Sequence, residues 1–228
     1  MQDGQRLLDL GRRRPGLDAQ ARFNISNLLE ATGGINAKQV LAYQRLLSNL
    51  QLDSGLAQAT ADAVLRARPK PRAPDSGADG KSPAATPASG GGSEPVAFTQ
   101  VEDLLAVPGY TPQIIEKLRD FIIVLPELTP VNVNTAPAEV LAAVTMLSLS
   151  EASALTLSNP RKKFVDKLNF QNNINAALIE GIELDVKSRY FLTVIRVRLD
   201  RAALDAVALV NRKTDPQRTT SLVWLREN

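Results

Sequence analysis

The chain has 228 residues, 44% of them hydrophobic, with 27 basic against 24 acidic side chains and a formal charge of +3. That is ample apolar material for a sizeable core, and a charge too mild for the strongly basic face of an obligate nucleic-acid binder. Histidine and cysteine are both absent, which removes Ser-His-Asp and Cys-His catalysis, the commonest general base, and structural zinc.

The first stretch with a clear pattern, Asp18 to Ile25, reads as a strand. Asn36 caps a helix with Val40, Leu41, Leu46, Leu47 and Leu50 on its apolar stripe. Ser54 caps a second, with Leu56, Ala59, Ala63 and Val64 inward and Pro69 beyond its end. Residues 68–97 are mostly Pro, Gly, Ser and Ala, a composition that buries too little to offset its ordering entropy. They read as a linker inside a helical region.

Short, tightly punctuated helices follow. Thr99 opens one that ends at Pro108-Gly109, and Thr111 caps the next, with Pro112 at its first position. Thr135 caps a third through Val140, Leu141 and Val144, and Ser148 with Glu151 forms a capping box for a fourth. Helical turns are expected near Phe164 to Phe170 and Asn175 to Ile179. From Leu184 the period changes to that of strands. Tyr190 to Leu199, Arg201 to Val210 and Thr219 to Glu227 make an antiparallel meander. The reading is an α+β chain: residues 1–25 and 184–228 form a discontinuous core with a small antiparallel sheet, and residues 26–183 form a large all-helical insertion.

Three segments resemble one family, the general secretion pathway K proteins, minor pseudopilins of type II secretion. The first is Asp18-Ala19-Gln20-Ala21-Arg22-Phe23-Asn24-Ile25-Ser26-Asn27-Leu28. The second is Leu125-Pro126 followed by Thr129-Pro130-Val131-Asn132-Val133-Asn134-Thr135-Ala136. The third is the meander that begins at Ser188-Arg189-Tyr190-Phe191. The resemblance implies a pilin-like fold with a large inserted helical domain, and no enzymatic activity. It also implies assembly with the I and J minor pseudopilins at the pseudopilus tip, with secreted proteins as further candidate contacts. A membrane helix is implied ahead of Met1, leaving this chain as the soluble periplasmic part of an inner-membrane-anchored protein.

Some members of that family bind calcium after the second helix of the helical domain. Here Asp62, Asp75 and Asp79 are the calcium candidates, scattered among Arg66, Arg68, Lys70 and Arg72. Calcium takes six to eight oxygen ligands, so the offer is poor and no cofactor is expected. The rival reading is a helix-hairpin-helix nucleic-acid binder, built on Val107-Pro108-Gly109-Tyr110-Thr111. Such a turn holds phosphate on the amides of a glycine-rich loop. Thr111 replaces the usual second glycine, and the basic residues nearby are chiefly Lys117 and Arg119, so the hairpin is read as a packing device. Arg12 to Arg14 and Lys162-Lys163 read as solvated. Asn132 and Asn134 are expected to bond local backbone, and Phe191 and Trp224 to fill the sheet core.

Overall fold

The computed structural model of the chain describes residues 18–68, 97–158, 161–174, 178–199, 202–213 and 219–227. Residues 1–17, with Arg12 to Arg14, and nearly all of the linker lie outside them. No helix among the described residues is long and apolar enough to cross a membrane.

The expected strand at Asp18 to Ile25 is broken up. A 3-10 turn at Ala19–Ala21 leads to the two-residue strand β1 (Phe23–Asn24) and a second 3-10 turn at Ile25–Leu28. Side-chain chemistry is the cause. Asp18 Oδ1 accepts from the Gln20 amide at 2.9 Å and Asn24 Oδ1 from the Ser26 amide at 3.1 Å, taking donors a ladder would need. Helix α1 (Ala37–Asn49) starts where expected, because Asn36 Oδ1 accepts from the Gln39 amide at 3.2 Å. It buries Val40, Tyr43, Leu46 and Leu47, while Leu41 turns to solvent. Ser54 does not cap α2 (Leu56–Ala67): the first turn is held instead by Asp53 Oδ1, which accepts from the Gly55 amide at 2.9 Å.

After the linker, a 3-10 segment at Val101–Ala106 and α3 (Pro112–Leu118) form the hairpin. The Thr111 hydroxyl accepts from the Ile114 amide, as a cap should. Strand β2 (Ile122–Ile123) pairs in parallel with β1, Phe23 opposite Ile122. Strand β3 (Val131–Asn132) precedes α4 (Ala138–Val144), which begins later than expected and without a side-chain cap. Pro137 disfavours a helical Ala136, and the Thr135 hydroxyl points elsewhere, to Asp18. Helix α5 (Leu149–Leu157) has the expected capping box, and α6 (Lys167–Asn173) is capped by Asp166. The second expected turn is absent at Leu178, which bridges Thr145 as extended chain; residues 175–177 lie outside the described set.

Strand β4 (Leu184–Asp185) pairs in parallel with β3 instead of opening the meander. The expected all-helical insertion therefore also contributes β2 and β3, each paired in parallel with a strand just outside it, β1 and β4. Strands β5 (Tyr190–Leu199), β6 (Ala202–Arg212) and β7 (Thr220–Glu227) form the expected antiparallel sheet in that order.

Two apolar cores result. The larger one gathers Phe23, Tyr43, Leu46, Leu47, Leu118, Val140, Leu141 and Phe170, with Phe23 stacked on Tyr43 at 5.3 Å between ring centres. The smaller holds the sheet: Ala19, Ile123, Leu125, Tyr190 and Leu209, with Leu192 and Trp224 against it. Each Leu, Ile, Val or Phe fully buried in either core contributes about 1.5–3 kcal/mol.

Candidate assembly interface

Where the sheet meets the helical block, the join is polar as well as apolar. The Asp18 carboxylate is buried and fully used. Its Oδ2 accepts from Asn132 Nδ2 at 2.9 Å, the Thr135 hydroxyl at 2.6 Å and the Ser188 hydroxyl at 2.7 Å. Gln20 continues the seam: its Oε1 accepts from the Arg189 and Tyr190 amides, and its Nε2 donates to Pro130 O. Asn24 accepts from the Leu125 amide and donates to Glu127 O, and Asn27 both donates to and accepts from Thr129 backbone. A buried donor left without a partner costs about 1–3 kcal/mol, so the seam admits one register of block against sheet.

Asn132 and Asn134 do more than bond locally. Asn132 Oδ1 accepts from the Asn134 amide at 2.9 Å, the local turn expected, but its amide group reaches Asp18 and Ser188. Asn134 grips Phe164, accepting from its amide at 2.8 Å and donating to its carbonyl at 2.9 Å. Sequence reasoning missed Asp18, Gln20, Asn24 and Asn27 as a set. The available signal was four polar side chains recurring in an otherwise apolar segment.

The sheet has two unlike faces. Tyr190, Leu192, Leu209 and Trp224 face the small core. The Tyr190 hydroxyl donates to Glu127 Oε1 at 2.6 Å; burial first, and that carboxylate second, hold the phenol protonated far above its ordinary range. Phe191 was expected in the same core. It is the next residue on a strand, so it must face the opposite side, where the Arg212 guanidinium covers it at 4.9 Å. With it on that outer face are Ile195, Val197, Leu204, Leu222 and Leu225. Leu222 and Leu225 are 60% and 52% exposed. A bulge between Leu209 and Val210 puts Trp224 and Leu222 on opposite faces. Arg226 stacks on Trp224 at 4.1 Å and donates to Thr99 O at 2.9 Å, fastening β7 to the chain beyond the linker.

The hairpin is turned inward. Gly109 has φ +96, and a Cβ there would come within 2.7 Å of Leu56 Cδ2, so the turn lies against α2. Tyr110 beside it donates or accepts at 2.8 Å from the Tyr43 hydroxyl and 2.7 Å from that of Thr60. Arg119 is paired with Glu102 at 2.9 Å. The glycine that phosphate binding requires is thus spent on packing. Of the calcium candidates, Asp62 stands exposed on α2 with Gln58 donating to it, while Asp75 and Asp79 lie outside the described residues. Among the described residues no three His, Cys, Asp or Glu side chains gather as a metal site.

The comparisons bear on the whole arrangement. The fold is similar to a chain in the crystal structure of the GspK-GspI-GspJ complex from the enterotoxigenic Escherichia coli type 2 secretion system. The TM-score is 0.68 at 20% identity, over 93% of this chain and 78% of that one. The type II secretion system protein K of Pseudomonas aeruginosa is 25% identical over 207 residues, 87% of this chain. The chain spans 60% of that relative's length. Two family models described as type II secretion system protein K match residues 21–127 and 131–189, together most of the sequence. On its sequence and its fold, this chain belongs to the type II secretion system protein K family.

Proposed function

We propose that the chain is the periplasmic portion of a minor pseudopilin, a component of the type II secretion apparatus that works by assembling with the I and J minor pseudopilins. The observation that carries this reading is the seam around Asp18 and Gln20. It fixes a broad helical block, residues 26–183, to a small terminal sheet, so that the subunit presents one rigid shape to its neighbours. The likeness of the fold to a chain of the GspK-GspI-GspJ complex supports it. A wide block at one end of a pilin-like sheet leaves little room for another subunit stacked above, which suits a tip position. Catalysis and calcium have no part in this reading, and added calcium is expected to leave the melting midpoint in place.

The test is reconstitution. Soluble I and J domains from the same secretion system are mixed with this chain at tens of micromolar, and the mass of the product is measured by light scattering on a sizing column. A ternary complex is expected, with an interface of about 800 Å² or more on each partner. Separate elution of this chain, while I and J pair with each other, would remove the reading. Nucleic-acid binding predicts the reverse: a salt-dependent shift with DNA and none with I and J.

A further inference from the structure

Helix α5 is an unusual surface helix. Its neighbour α4 buries Ala138 and every residue from Val140 to Val144, but α5 buries only Ala152. Its single charged residue, Glu151, is occupied by the Ser148 cap. Leu157 at its end is 81% exposed, and across the following loop Val165 and Leu168 are 78% and 69% exposed. Lys162 ties these parts together. Its amide donates to Ser158 Oγ at the end of α5, its ammonium group donates to Asn173 Oδ1 at the end of α6, and it lies over the Phe164 ring. Leu157, Val165 and Leu168 thus flank the segment that Lys162 ties to the ends of α5 and α6, and that segment is also basic. Residues 161–168 present Lys162, Lys163 and Lys167 against the single acid Asp166, whose carboxylate caps α6, while the Arg161 guanidinium is turned inward onto the Val133 and Ala136 carbonyls. The pairing of Lys167 with Glu183, at 3.7 Å between exposed groups, neutralises little.

We infer that this apolar, basic-rimmed surface docks an acidic amphipathic segment of a partner protein. Exposed aliphatic side chains grouped in this way mark an interaction site. The cations select the partner's sign and steer its approach. A protein fits better than a lipid surface, because the apolar residues are aliphatic and the surface lacks the Trp or Tyr that anchors at a headgroup layer. The inference goes beyond the assembly reading, which assigns no contact surface, and the seam can hold with this surface empty.

The full chain is titrated with a designed helical peptide of about 18 residues, leucines on one face and glutamates on the other. A second peptide carries lysines in place of the glutamates, and vesicles of phosphatidylglycerol form a third arm. Binding is followed by amide chemical shifts. The acidic peptide is expected to shift residues on α5, α6 and the loop between them, and to bind at least about tenfold tighter than the basic one. The double variant L157E/L168E is expected to lose that binding about tenfold or more at an unchanged melting midpoint, since both side chains are exposed. K163E/K167E is expected to reduce the preference for the acidic peptide. Equal binding of both peptides, shifts elsewhere on the molecule, no binding, or vesicle binding lost in L157E/L168E would each overturn the inference.

Discussion

The helical block and the terminal sheet are built on opposite plans. Around α1 and α4 apolar side chains are sealed on all sides: Val40, Tyr43, Leu46 and Leu47 meet Val140, Leu141 and Val144 with almost no exposure. The sheet seals one face, through Tyr190, Leu209 and Ala19, and leaves Val197, Leu204, Leu222 and Leu225 on the other open to solvent. The large core is thus closed by its own side chains, with Phe23 and Leu184 of the flanking segments among them. The sheet depends on its seam for position, and a polar seam makes position definite, because its buried donors and acceptors are all satisfied together in this register.

The sharpest way to break this arrangement is at Asp18. Replacing it with Ala orphans the Ser188 hydroxyl and the Gln20 amide, leaves Asn132 Nδ2 with Ser188 Oγ and the Thr135 hydroxyl with Asn132 O, and should cost about 2–6 kcal/mol at about 1–3 kcal/mol per orphaned donor. Urea denaturation followed separately at Trp224, which reports the sheet, and by helical circular dichroism, which reports the block, should show the sheet leaving first.

Next in size is a contrast between the sheet's two faces. Leu209→Ala on the inner face should cost about 2–5 kcal/mol. Leu225→Ala on the outer face should stay within about 0.5 kcal/mol. Equal losses would mean that both faces are covered, and the contrast between the regions would fail.

A smaller effect comes from pH. Burial raises the phenols of Tyr43 and Tyr110 above their ordinary value of about 10, and burial with Glu127 does so for Tyr190. The folded chain keeps these protons where the unfolded chain would release them. Stability is therefore undiminished below about pH 10 and declines as pH rises through the alkaline range. Tyr43→Phe should flatten the decline contributed by the block and Tyr190→Phe that contributed by the sheet, as melting midpoints measured against pH would show.

Much of this was legible from the residues, and what was hidden was hidden for a physical reason. Caps at Asn36, Thr111 and Ser148 could be read because a cap is decided within three residues. The meander could be read because strands of β-branched residues carry their own period. The ladders of β1 with β2 and of β3 with β4 could not: each joins two residues to two others far along the chain and leaves no periodic trace. Thr135 looked like a cap, and the pull of Asp18, 117 positions away, decided otherwise. Ser54 lost to Asp53 within the same turn, a choice between near neighbours that local chemistry leaves open. The seam itself was half visible. Its residues stood in the motifs quoted for the family resemblance, but that they bond to one another is a fact of tertiary structure.

Native-state hydrogen exchange under mild denaturant probes the join most directly. Amides of the β5–β6 ladder, such as those of Leu192 and Leu209, and the amide of Phe23, which donates to Phe121 O at 2.8 Å, are followed together in wild type and in Asp18→Ala. In wild type all should exchange through one shared opening, and in the variant the sheet amides alone should exchange faster. Sheet amides that already open independently in the wild-type chain would contradict the claim that sheet and block form one rigid body.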